Sequence, residues 1–514
     1  MIKHKYPKID SYLSKKKTIT NCFLVSRGRY VTDICNIFGV FAAKHVYNLK
    51  TYIISDTYQK NYNNFFINFG FKNFFYINTY RRIFLNPTIF LNSFLKSIII
   101  FFKIRKLGFY WFINNFEINQ IKIGDLIYDS YTRKNHKYLN PKKDYHFFKI
   151  LFRGILKLSI LLKLINFYKP KLIFIGTNGY SYNDGLLMRI GLSYKIDTIE
   201  VQPYYLIKNV KFQTKYGRDH IKFNHNLLKN LKKKKVINHY QSRKKLKIKP
   251  DYTDSYFVAN KFKENLKINT FFKNLSTTYQ KIILIAPHAF SDAPHINGKL
   301  IFKDYYTQFI ETLNFIKKIE NKNNFLWIIK QHPGNFLYHE QEIFKEIVLN
   351  YVSEKVILCP DKVNTNNLIP FCDHVITTNG SIGIEFACEG KMPILGGYAP
   401  YSNLGFTFDS KDKEQYFDIL KKIDKLKDID KSQILMAKKA LYILDTGIHK
   451  EMLKKSNILE FEKLLKSYNL GLLKNKFINK QYIFIKDSLK NLRKKKIDND
   501  PYFMSLKNYF IRHY

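Results

Sequence analysis

His288, Asp292 and His295 lie close together in Pro287-His-Ala-Phe-Ser-Asp-Ala-Pro-His295. Imidazoles and a carboxylate held between prolines can exchange protons near neutral pH or hold a departing phosphate. A second group, Lys330, His332 and Pro333, closes Trp327-Ile-Ile-Lys-Gln-His-Pro333, where a cation and an imidazole N–H can donate to a phosphate or a sugar hydroxyl. A third is Thr377-Thr-Asn-Gly-Ser-Ile-Gly-Ile-Glu385. Here Thr378, Asn379, Gly380, Ser381 and Gly383 can present hydroxyls and backbone N–H groups to an anion, and Glu385, one turn on, can accept from ribose hydroxyls. Asn379 and Gly380 tolerate positive φ, and Ser381 can cap the helix that follows. Two carboxylates come earlier in the chain. Asp129 shares a helical face with Asp125 and Arg133, and Asp184 sits in the hydroxyl- and amide-rich Gly176-Thr-Asn-Gly-Tyr-Ser-Tyr-Asn-Asp-Gly185. Each group also has an ordinary structural reading: a solvated loop histidine, a capped βα turn, a helical ion pair. Asp292 leads among the carboxylates, because Asp129 has Arg133 as a ready partner.

The elements that must position these residues read as alternating strands and helices. Asn21-Cys-Phe-Leu-Val25, Thr51-Tyr-Ile-Ile-Ser55, Phe74-Phe-Tyr-Ile77, Lys171-Leu-Ile-Phe-Ile-Gly176 and Asp197-Thr-Ile-Glu-Val201 form one series. Lys281-Ile-Ile-Leu-Ile-Ala286 opens a second, which continues through 325–330, 355–358, 373–378 and 392–395. Continuous apolar runs separated by amphipathic helices predict parallel sheets in an α/β fold, with ligand loops at strand C-termini. The spacing predicts two Rossmann-like domains facing across a cleft, over 1–265 and 266–412, the second holding the nucleotide. A basic helical extension over 413–514 is expected to pack back on the first.

The chain has 514 residues, 46% of them hydrophobic, enough for more than one core. Its formal charge of +47 invites a nucleic-acid reading, but lysine, asparagine, isoleucine, phenylalanine and tyrosine dominate together, as AT-rich codons would impose. No zinc-finger spacing, aromatic RNA-binding motif or basic zipper accompanies the charge. An anionic inner-membrane surface is the better partner for it, through Leu231-Lys-Lys-Lys-Lys235, Arg243-Lys-Lys-Leu-Lys-Ile-Lys249 and Arg493-Lys-Lys-Lys496. The 5 cysteines are scattered without a CxxC pair, which suits a reducing compartment. The N-terminus lacks a signal-peptide core, and the apolar stretches 97–102 and 155–165 are short or broken by Lys157 and Lys163. A cytoplasmic protein, peripheral on the inner membrane, is expected. The Walker motif Gly-x-x-x-x-Gly-Lys-Ser/Thr is absent, against P-loop hydrolysis.

His288-Ala-Phe-Ser-Asp-Ala-Pro-His295, Trp327-Ile-Ile-Lys-Gln-His-Pro333 and Thr377-Thr-Asn-Gly-Ser-Ile-Gly-Ile-Glu385, with Gly390-Lys-Met-Pro-Ile394 and Gly397-Tyr-Ala-Pro-Tyr401, resemble bacterial capsule and surface-polysaccharide biosynthesis proteins. These include Kdo transferases and CDP-glycerol glycerophosphotransferases. The resemblance is clearest over 280–408. It implies a GT-B fold, a donor activated by CMP or CDP, a glycan or lipid-linked glycan acceptor, and no metal or other cofactor. It further implies that His332 and the Asn379–Ser381 turn bind the donor phosphate, with Glu385 near the ribose. Bacterial sialyltransferases show a similar pairing of a His-Pro loop with a Ser-containing turn, and Gly380-Ser381 stands where many of them have two hydroxyl residues. A polyol-phosphate transferase, a sugar-nucleotide epimerase and a basic RNA-binding protein are the alternatives.

Overall fold

The computed structural model describes residues 8–12, 18–26, 30–56, 60–77, 86–176, 183–203, 205–208, 225–245, 273–275, 277–295, 300–360, 363, 365–446, 451–454, 456–458 and 494–514. The first sheet is built from β1 (Ile19–Val25), β2 (Asn48–Ser55), β3 (Asn73–Tyr76), β6 (Leu172–Ile175), β7 (Asp197–Val201), β8 (Tyr205–Lys208) and β15 (Glu451–Met452). A short hairpin, β4 (Glu117–Ile118) and β5 (Ile121–Lys122), stands apart from it. The second sheet contains β9 (Lys281–Ile285), β10 (Phe325–Ile329), β11 (Val356–Leu358), β12 (His374–Thr377), β13 (Pro393–Leu395) and β14 (Phe408–Asp409).

Strand order in the first sheet is β15-β8-β7-β6-β1-β2-β3, parallel except for β8 and β15 at one edge. In the second it is β11-β10-β9-β12-β13-β14, parallel throughout. The second order is that of a doubly wound dinucleotide-binding sheet, and the direction in which successive strands are added reverses between β9 and β12. Both faces are covered, so the strands are apolar along their length rather than alternating. Cys22 and Leu24 of β1 face a cluster with the Tyr30–Ala43 and Pro501–His513 helices, while Phe23 and Val25 face the Pro87–Asn115 and Tyr145–Tyr168 helices. Ile283, Ile285, Trp327 and Ile329 pack under the Tyr305–Ile319 helix, and Ile282, Leu284, Leu326 and Ile328 line the other face. Each such buried side chain contributes about 1.5–3 kcal/mol over its exposed state.

The chain divides into two compact units: 1–131, 142–217 and 447–514 form one, 132–141 and 218–446 the other. These limits differ from the expected 265/266 and 412/413. Residues 225–245 join the second unit because Leu228 is buried with Ile384, Ala437 and Ala440, and Lys439 Nζ donates to the Leu228 carbonyl at 2.6 Å. Tyr416 and Leu420 are buried in the same unit. Only beyond 446 does the chain return, burying Tyr502, Phe503, Leu506 and Phe510 in the first unit's core. Residues 132–141 bring Tyr138, 1% exposed, into the second unit against Phe290 at 5.3 Å and Tyr306 at 5.5 Å. At the base of this excursion the Tyr131 hydroxyl donates to the Lys142 carbonyl (2.8 Å) and accepts from its N–H (2.9 Å).

Candidate functional site

The loops after β9, β10 and β12 are the ones the parallel register brings side by side, since β9 pairs with both neighbours. The His288 ring stacks on His332 at 5.2 Å and on Tyr305 at 4.8 Å. Tyr305 Oη in turn accepts from Asn379 Nδ2 at 2.9 Å, so all three loops meet around one aromatic stack. Among the described residues, neither ring nitrogen of His288 finds a partner in good hydrogen-bond geometry, and both are shielded from solvent. Burial lowers its pKa, which Asp292 and the Asn379 backbone partly offset.

His332 Nδ1 accepts from the Gly334 N–H at 3.1 Å, which leaves the proton of the neutral ring on Nε2. Burial, then His288 and Lys330, push its pKa down to about 3. The group is therefore a neutral N–H donor across the physiological range. Lys330 is buried, its backbone held to β9 through the Ile285 carbonyl at 2.9 Å.

The helix Ser381–Cys388 begins at the end of β12. Gly380 is its N-cap with φ −68°, and among the described residues no side chain caps it. The tolerance of this turn for positive φ is not used, since neither Asn379 nor Gly380 adopts it, and Ser381 is the first helical residue rather than the expected cap. Ser381 is exposed, with its hydroxyl turned toward Glu385. A helix start without a side-chain cap is an anion-binding feature. Gly383 is explained by packing instead: a Cβ there would lie 2.3 Å from Tyr401 Oη, and that hydroxyl donates to the Gly380 carbonyl. Thr378 Oγ1 is buried and directed at Gln308 Oε1, 3.4 Å away.

Glu385 accepts from Arg243 at 2.7 Å, and the same guanidinium holds Asp445 at 2.7 and 2.8 Å. Burial raises the Glu385 pKa and Arg243 opposes this. Arg243, expected at a membrane surface, is thus an internal ion-pair partner, and Lys244 reaches Glu389 at 2.7 Å. Residues 246–249 and Arg493 lie outside the described residues.

Asp292 Oδ1 accepts from the Tyr338 hydroxyl at 2.5 Å. His295 is buried and bonded to the Lys303 carbonyl at 2.9 Å, which makes it a brace of the loop. The loop's main anchor is one the sequence gives no reason to single out. Glu340, fully buried, accepts from the N–H groups of Phe290 (2.8 Å) and Ser291 (2.9 Å) and from the Ser291 hydroxyl. Burial raises its pKa to about 7 despite these bonds. The only sequence signal for it is an acid just before the amphipathic Gln341–Leu349 helix.

In the first unit, Asp184 is fully buried and accepts from the Gly176 N–H at 3.0 Å, tying strand to helix. Residues 177–182 of the amide-rich loop lie outside the described residues. Asp129 is buried on the Gly124–Arg133 helix. Arg133, its expected partner, lies over the Tyr338 ring at 5.0 Å. Asp125 pairs with Arg189 at 2.8 Å.

Residues 205–442, just under half of the chain, match the family model described as capsule polysaccharide biosynthesis protein. No curated protein matches the sequence. Among solved structures, the β-Kdo 2,4 transferase of Thermosulfurimonas dismutans KpsC is similar at 14% identity, over 52% of this chain and 79% of that one, with a TM-score of 0.27. The UDP-GlcNAc 2-epimerase of Methanocaldococcus jannaschii is similar at 12% identity, over 84% of this chain and 100% of that one, also with a TM-score of 0.27. The family match spans all three site loops. Over residues 205–442 the chain is thus similar to the capsule polysaccharide biosynthesis proteins.

Proposed function

We propose that the chain is a glycosyltransferase of surface-polysaccharide synthesis, and that its second unit binds the nucleotide of a CMP- or CDP-activated sugar. The observation that supports this best is the meeting of His288, His332 and the uncapped start of the Ser381–Cys388 helix beside the β9/β12 reversal. The His332 Nε2–H, the Lys330 ammonium and the first N–H groups of that helix would carry the donor phosphate, and Glu385 would meet the ribose. Charge that accumulates on the leaving phosphate as the glycosidic bond breaks is met by the same donors, already in place.

In the transfer, an acceptor hydroxyl oxygen bonds to the anomeric carbon as the carbon–oxygen bond to phosphate breaks. The nucleotide leaves with that electron pair, and the acceptor proton passes to a carboxylate, for which Asp292 is the candidate. Asp292 shares a loop with His288 and acts on it electrostatically. A thermal-shift panel of nucleotides tests the reading, with cytidine nucleotides expected to stabilise the chain most. Incubation with CMP- and CDP-sugars should then release free nucleotide only when acceptor is present; release without acceptor would indicate an epimerase. Asp292→Asn should lower turnover by about 10²-fold with donor binding kept. Equal stabilisation by all nucleotides, or normal turnover in Asp292→Asn, would refute the respective part.

A further inference from the structure

The Pro87–Asn115 helix is long and apolar enough to cross a bilayer, yet only 17% of its most apolar stretch is buried. Its inward face rests on the Tyr145–Tyr168 helix through Ser93, whose hydroxyl lies 3.2 Å from that of Ser159, and through Ser97 and Ile104. Phe90 and Phe94 meet Phe152 at 5.2 and 5.8 Å. Its outward face carries Leu91, Leu95, Ile99 and Phe102, which are 55%, 48%, 65% and 60% exposed. Those positions follow the helical period and form one stripe. Gly108, at φ +83°, then breaks the helix, after which Phe109, Phe112 and Ile113 turn inward.

Lys96, Lys103, Arg105 and Lys106 flank the stripe, and Lys149, Arg153 and Lys163 follow on the neighbouring helix, whose Lys157 is paired with Asp56 at 2.6 Å. Neither helix contains an acidic residue. Beside the two helices a cavity of about 540 Å³ is lined by Lys96, Lys163, Asn119, Asn166 and Ser159 and by the apolar Ile118, Leu162 and Phe167. Phe167 is 77% exposed at its rim.

We propose that this face of the first unit docks on an anionic lipid bilayer, with the 91–102 stripe dipped among the acyl chains and Lys96 and Lys163 holding lipid phosphate. Charge selects the occupant. A predominantly basic face, with Asp56 neutralised by Lys157, repels a second copy of itself and attracts anionic headgroups, each remaining basic side chain strengthening partition by about fivefold. Packing selects the pose, because a helix with one side seated on the core can lie in the interface but cannot be surrounded by lipid. The Lys-rich runs at 231–235 and 243–249, expected to make this contact, are partly consumed: Lys235 covers the Tyr442 ring and Arg243 is in its ion pairs.

The test is flotation of the full chain with vesicles of phosphatidylcholine alone and of phosphatidylcholine mixed with phosphatidylglycerol. Binding should need the anionic lipid, weaken in high salt and be reversed by alkaline carbonate. Ile99→Asp with Phe102→Asp should reduce it by about tenfold or more, and Lys96→Ala with Lys163→Ala by about 25-fold. Circular dichroism and nucleotide-dependent thermal shift should match the parent in both variants, which separates lost docking from misfolding. Unchanged flotation in the folded variants, equal binding to neutral vesicles, or resistance to carbonate would each overturn the proposal. So would a parent dimer that Ile99→Asp splits, since the stripe would then face another copy.

Discussion

Replacing His332 by alanine removes one N–H donor whose protonation state the structure specifies. Its Nδ1 is occupied by the Gly334 N–H, and its pKa of about 3 keeps the ring neutral, so Nε2 is a donor at any working pH. A bond from it to a charged phosphate contributes about 1.5–3 kcal/mol, so the Kd for CMP or CDP should rise about 10- to 150-fold in His332→Ala. Calorimetry between pH 5.5 and 8 supplies the sharper check. A neutral donor predicts that affinity carries no histidine titration near 6.5, beyond what the ligand phosphate itself contributes and His332→Ala retains. The sign for stability is opposite to that of a paired histidine. Because folding lowers this pKa from 6.5, the contribution is full above about 6.5 and is lost as pH falls toward 3. Unchanged affinity in His332→Ala, or a parent affinity that falls off through pH 6.5 and loses that dependence in the variant, would refute the reasoning.

Gly383→Ala should lower stability by about 1–3 kcal/mol through collision with Tyr401 Oη, with Tyr401→Phe restoring part of it in the double variant; equal melting temperatures would place the close approach in doubt. Asp125→Asn breaks a buried pair with Arg189 and should cost about 3–5 kcal/mol in urea denaturation, against little change for exposed Lys96→Ala. Glu340 has a folded pKa of about 7 against 4.5, so its contribution is full below 4.5 and lost as pH rises through 7; Glu340→Gln should flatten the melting temperature over that window. A parent that gains stability across the same window, with the slope unaltered in the variant, would contradict this.

The central strands were legible because a parallel strand covered on both faces must be apolar throughout, as Lys281-Ile-Ile-Leu-Ile is, and turn residues bound it. The edge strands β8, β14 and β15 were not, since pairs of two to four residues leave no periodicity to read. Site loops could be located from strand ends, but their fasteners could not. Glu340 closes on residues 49 and 50 positions away, and Arg243 meets Glu385 across 142. Such pairings depend on tertiary placement alone. The turn at 379–381 misled for a related reason: glycine there permits a left-handed residue without requiring one, and Tyr401 rather than φ decides its form.

Because the polypeptide passes between its units at 131/132, 141/142, 217/218 and 446/447, no single cut separates them into continuous pieces. A fragment beginning near 218 would lack Tyr138 and leave Phe290 and Glu340 without the ring that covers them, while one ending there would lack Tyr502 and Phe510. On the ribosome, the first unit therefore waits for residues 502–510 before its core can close. The 132–141 loop, made long before its partners, must stay available until Phe290 and Tyr306 emerge. Heat or denaturant should accordingly melt both units together, each losing a piece when the other unravels.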